Sequence, residues 1–114
     1  MKIYGIKNCD TVKKALKWLD VNGISYEFHD YKKQGITPDK LKHWARSLGW
    51  ESLLNKKGTT WKKLDPALQS SVQNEAAAVK LMQESTSIIK RPLIENDKHL
   101  ILGFSEAEYQ KLLH

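Results

Sequence analysis

The chain has 114 residues, 40% of them hydrophobic, and a formal charge of +6 from 19 Lys and Arg against 13 Asp and Glu. That is the size of one domain, able to bury roughly 65% of its unfolded surface, and one cysteine excludes an internal disulfide framework. No run of about 18 uncharged apolar residues occurs and the start MKIYGIKNCD is not leader-like, so the expectation is a reducing, cytoplasmic setting with no membrane association.

Lys2–Ile6 is short and rich in β-formers, and Lys7-Asn8 follows as a turn. From Asp10 to Val21 the apolar positions Val12, Ala15, Leu16 and Leu19 keep helical spacing, with Lys13, Lys14 and Lys17 off that face. Asn22-Gly23 stops the helix. Ile24–Tyr31, with Ile24, Tyr26 and Phe28 in partial alternation, predicts a second strand, and Lys32–Gly35 a loop. Strand, helix, strand makes a crossover unit with parallel strands.

The middle of the chain reads as helical. Thr37-Pro38 is a capping residue before a first-turn proline, with Ile36 and Leu41 spaced as a hydrophobic staple, and opens a helix to about Leu48. Shorter pieces are predicted near Glu51–Asn55, at Trp61–Leu64 and after Asp65-Pro66, then an alanine-rich helix from about Asn74 to Gln83. Trp44, Trp50 and Trp61 are expected to pack this layer rather than to stack on bases.

The tail returns to mixed structure. A strand lies within Ile88–Glu95, Asn96-Asp97 turns, and His99–Leu102 pairs back as a hairpin. Ser105-Glu106-Ala107-Glu108 is a capping box, with Phe104 and Tyr109 as its staple, opening a last helix. The order is βαβ, helical insertion, ββα.

Charge and motifs narrow the chemistry. The lysines fall in scattered pairs (13/14, 32/33, 56/57, 62/63) rather than one block, so a solvated surface is expected and nucleic acid is not an expected partner. The four histidines show no ligand spacing, which predicts no metal site, and neither G-x-G-x-x-G nor a Walker loop is present. Cys9 is the candidate nucleophile: at a helix N-terminus it faces unpaired N–H groups and the positive dipole end, which favour a thiolate.

The segments I-Y-G-I-K-N-C-D-T-V-K-K-A-L-K-W-L, I-I-K-R-P-L-I and I-L-G-F-S-E-A-E-Y, spread over essentially the full length, resemble the thioredoxin fold and within it the arsenate reductase-like (ArsC) family, most closely its YffB-type proteins. The resemblance implies an α/β thioredoxin-like fold with a mixed four-stranded sheet, residues 1–114 forming one domain with a helical insertion at about 37–85. It matches Cys9 to the family's catalytic cysteine, Arg91 to the arginine before the active-site proline, and Pro92 to that proline, which is cis. It implies an enzyme, a glutathione-dependent thiol reductase, with glutathione as co-substrate and no bound cofactor. The implied partners are glutathione or another small thiol or disulfide, and glutaredoxin.

Two departures shape the expected mechanism. Around Asn55 and Gly103, where true arsenate reductases of this branch carry further oxyanion-holding arginines, this chain has none, so arsenate reduction is not expected. The branch's redox-sensing regulators carry C-x-x-C, whereas the fourth position here is Val12. A mixed disulfide at Cys9 must therefore be resolved by an outside thiol. As helpers, Thr11 is a candidate donor to the sulfur, Asp10 a capping carboxylate, and Asn8, Thr11, Lys13 and Pro92 a substrate-binding set. The alternative from another class is a non-catalytic regulatory or interaction protein.

Overall fold

A computed structural model gives the structure, which describes residues 1–113. They divide into two compact units, one built from both ends of the chain (Met1–Gln34 and the segment from Arg91 onward) and one from Gly35–Lys90.

The first strand, β1 (Lys2–Gly5), leads into α1 (Asp10–Val21), whose Val12, Ala15 and Leu19 are buried. Asn22 caps the far end, and Gly23 takes φ +66°, a left-handed conformation that glycine adopts without strain. The strand β2 (Glu27–Asp30) runs parallel to β1, with Ile3 opposite Phe28. It is shorter than the expected Ile24–Tyr31, and Tyr31 opens a helical turn, α2 (Tyr31–Gln34), where a loop was expected. The cause is local: Asp30 Oδ1 accepts from Lys32 N–H at 2.9 Å and bends the chain out of the strand.

Caps shape the helical unit. Thr37 Oγ1 accepts from Lys40 N–H at 3.2 Å, Pro38 fills the first position, and α3 (Pro38–Leu48) follows as expected. Next come α4 (Trp50–Leu53), α5 (Thr59–Lys62) and α6 (Pro66–Ser71), the last capped by Asp65 Oδ1 on Ala67 N–H at 2.9 Å. Asn74 Oδ1 on Ala77 N–H, at 2.9 Å, opens α7 (Glu75–Glu84). Leu41, Trp44, Leu53, Ala78 and Met82 are fully buried, and Trp61 is nearly so. A 3-10 turn at Thr86–Ile88 and one bridge, Leu54 opposite Ile89, precede the strand expected within Ile88–Glu95. Asn55 N–H donates to Ile88 C=O (2.8 Å) and Lys90 N–H to Leu53 C=O (2.7 Å).

The chain then forms the hairpin β3 (Leu93–Glu95) and β4 (Leu100–Leu102), closed by Asn96 Oδ1 accepting from Lys98 and His99 N–H. Ser105 Oγ accepts from Glu108 N–H at the start of α8 (Glu106–Leu113). The four-stranded mixed sheet has the order β2-β1-β3-β4, with β3 antiparallel to both β1 and β4. Because side chains alternate across a strand, the cross-strand row Ile3, Ile94, Ile101 lies on one face, buried with Ala15, Leu19 and Tyr109 from α1 and α8. Each fully buried aliphatic side chain in such a row stabilises the unit by about 1.5–3 kcal/mol. This is an α/β, thioredoxin-like arrangement.

Candidate active site

A close contact at the end of β1 sets the position of α1. A Cβ on Gly5 would lie 2.9 Å from Val12 Cγ2, so only glycine lets the strand end meet the first turn of α1 this closely. The link Ile6–Asn8 then delivers Cys9 to the N-cap position in extended conformation (φ −140°, ψ 123°). Its carbonyl accepts from Lys13 N–H at 3.0 Å, while its side chain makes no capping hydrogen bond. The thiol is half-buried. Its sulfur thus stands at the positive end of a three-turn helix, beside first-turn N–H groups that no helix carbonyl reaches.

Asp10 was expected to cap the helix and does not. It is the first helical residue, exposed, and contributes a first-turn charge, because the cap position belongs to Cys9. Asn8, Thr11 and Lys13 are exposed around the same turn.

Arg91 and Pro92 reach this end of the sheet through strand register. Tyr4 pairs with Leu93 in the antiparallel ladder, so Arg91 and Pro92, which lead into β3, lie at the end of the sheet where β1 leaves toward Cys9. The Arg91–Pro92 bond is cis, as the resemblance implies. Pro92 is buried, its carbonyl accepts from Gly103 N–H at 2.7 Å, and Arg91 is half-buried. The carboxyl ends of the parallel strands β1 and β2 open at the same place, the usual location of ligand sites in such sheets.

Tyr31 also belongs here, and the sequence reading passed over it as the last residue of a strand. It follows β2 directly, is 1% exposed, and its hydroxyl has no hydrogen-bond partner. Burial pushes its phenol far above the ordinary value, the neighbouring Tyr4 adds to this, and the positive charge of Arg91 opposes it. Tyr31 is therefore a neutral donor close enough to feel the guanidinium. Its ring lies 6.2 Å from Tyr4, whose hydroxyl donates to Glu95 at 3.2 Å. The available signal was an aromatic residue at the carboxyl end of a parallel strand, a position that faces ligand sites.

Among the described residues no group of three or more His, Cys, Asp and Glu side chains could hold a metal ion, and no helix is long and apolar enough to cross a membrane. The chemistry on offer is that of one thiol, one guanidinium and a buried phenol at a common end of a sheet.

Known proteins are similar to this chain over nearly its full length. The model of the ArsC family matches residues 4–112. An uncharacterized protein of Haemophilus influenzae is 44% identical over 108 residues, 95% of this chain and 94% of its own. A solved structure named YffB protein superposes with a TM-score of 0.94 at 43% identity, covering 99% of this chain and 98% of that one. The solution structure of an arsenate reductase (ArsC) related protein from Brucella melitensis gives 0.77 at 46% identity, with 98% and 92% covered. The family model spans nearly the full length and these relatives match from end to end, so the chain belongs to the ArsC family.

Proposed function

We propose that this protein is a glutathione-dependent thiol reductase of the ArsC family, acting through Cys9 alone in a reducing cytoplasm. The observation that carries this reading is the half-buried thiol at the N-cap of α1, uncommitted to capping and at the same end of the sheet as Arg91 and Pro92. Cys9 thiolate attacks the glutathione sulfur of a mixed disulfide X–S–S–G. The S–S bond breaks, the other sulfur leaves with X as the thiolate X–S⁻, which takes up a proton, and Cys9–S–S–G forms. The thiolate of a second glutathione then attacks the glutathionyl sulfur, releasing oxidised glutathione and regenerating Cys9. One cysteine suffices because the incoming glutathione, rather than a second cysteine, resolves the intermediate, so that X–S–S–G and one glutathione yield X–SH and oxidised glutathione. Arg91 is assigned to a glutathione carboxylate, which its planar fork binds bidentately, and Asn8, Thr11 and Lys13 to the substrate's edge. Glutaredoxin is a candidate oxidised partner for the same step.

The test is exposure of the reduced full chain to oxidised glutathione, followed by mass spectrometry. One glutathione adduct on Cys9, absent in Cys9→Ser and removed by added glutathione, is the expected result. In turnover with a glutathionylated substrate, Arg91→Ala should lower the rate by about tenfold or more, the worth of a charge-assisted hydrogen bond, with Arg91→Lys recovering only part. A thiol that forms no adduct ends the proposal.

A further inference from the structure

Further along α1, away from the thiol, a second surface lies at the margin of the sheet's core, where Trp18 and Phe104 are only partly buried against it. A groove of about 510 Å³ is lined by Lys14, Lys17, Trp18 and Val21 of α1 and by Phe104 and Glu106 at the start of α8, a size at which side chains of a ligand are accommodated. The α1 residues are spaced i, i+3, i+4, i+7 and share one face, distinct from the buried Val12, Ala15 and Leu19. Val21 is 76% exposed, the most open large apolar residue among those described.

The aromatic walls are fixed in advance. Trp18 meets the buried Tyr109 edge-on at 5.5 Å, and Phe104 meets the same ring at 5.1 Å. Tyr109 is itself tied by its hydroxyl, which donates to Gly103 C=O at 2.6 Å. Two large side chains held from beneath, beside an exposed valine, form a preorganised apolar floor of the kind that anchors a partner without a large ordering cost.

Charge selects the occupant. Two lysines stand on the α1 wall against the single carboxylate of Glu106 on the α8 side, and the whole chain carries +6. We propose that this groove docks an acidic segment of a partner protein, one that lays a bulky apolar side chain between Trp18, Val21 and Phe104 and turns carboxylates toward Lys14 and Lys17. Glu106 fixes the polarity, because a carboxylate on that side is repelled. The proposal is independent of the thiol chemistry.

The full chain as 15N-labelled Cys9→Ser, which removes disulfide formation from the readout, is titrated with an end-blocked peptide whose Leu-Phe-Leu centre is flanked by glutamates. A second peptide replaces the glutamates with lysines. Amide shifts confined to Lys14–Val21 and Phe104–Glu106, with the lysine peptide producing none, are expected. The exposed double variant Lys14→Glu with Lys17→Glu should weaken binding by about tenfold, since two attractions become two repulsions, and Val21→Asp should weaken it as well. Equal response to both peptides, shifts elsewhere, or groove shifts that depend on protein concentration without peptide (a second copy as occupant) each overturn the proposal. Failure of Cys9 to accept glutathione leaves this result untouched.

Discussion

The two units of the chain achieve stability by opposite means. In residues 35–90 three of the five α-helices open on a side-chain cap of their own, Thr37, Asp65 or Asn74, and Trp44 is fully buried. In the sheet unit the decisive contacts join residues far apart in sequence, Ile3 with Ile94 and Tyr4 with Leu93. Aromatic usage divides the same way: all four tyrosines lie in the sheet unit, three of the four tryptophans in the helical one. Local rules build a scaffold, and long-range pairing builds the place where a thiol, a guanidinium and a phenol are assembled.

The largest expected consequence of this division appears in alkali. Tyr4 is pushed up to about 12 by burial and by the adjacent Glu95, and Tyr26, Tyr31 and Tyr109 are raised too, each first of all by burial. A phenol whose folded value exceeds its unfolded value of 10.0 contributes stability that is complete below that pH and is lost as pH rises through the folded value. Unfolding of the sheet unit between pH 10 and 12 is expected, with absorbance at 295 nm and circular dichroism changing together. Phenols ionising at pH 10 in a chain that stays folded would contradict it.

Next in size is Trp44→Ala, which removes the largest fully buried side chain of the helical unit and should cost about 3–5 kcal/mol. Urea unfolding measures the loss, and amide exchange shows where it falls: α3 and α7 should open before the β1–β3 pair. Simultaneous opening would mean that the units share one cooperative transition. The smallest effect is that of Gly5→Ala, about 1–3 kcal/mol from the forced contact with Val12. Its signature is specific, because the displaced first turn of α1 should slow alkylation of Cys9 by iodoacetamide while the helical unit stays unchanged.

What the sequence reveals follows the same division. The bounds of α1 and α3 can be read from Cys9-Asp10, Asn22-Gly23 and Thr37-Pro38, since each signal acts within one turn. The helical turn at Tyr31 cannot, because Asp30 competes with strand pairing by bonding the backbone two residues on. Nor can the irregular run before Pro92, whose partners Leu53–Asn55 lie some 35 residues upstream. At the site, Cys9 stands out by being alone and at a helix start, and Arg91 and Pro92 by resemblance. The burial of Tyr31 depends on neighbours that only the folded sheet supplies, and Asp10 misleads because a first-turn carboxylate and a capping one look alike in sequence.

The order β2-β1-β3-β4 makes β1 an interior strand whose two neighbours lie on either side of residues 35–90 in the chain. One side of β1 can be satisfied as soon as Glu27–Asp30 has emerged, but its other neighbour is not synthesised until residue 95. Between those two points the nascent chain carries an open hydrogen-bonding edge bearing Ile3 and Tyr4, while the 35–90 segment comes to hold every residue of its own helices. Completion of the sheet is thereby deferred until Leu93–Glu95 is made, and a chain cut before that point lacks the second neighbour of β1.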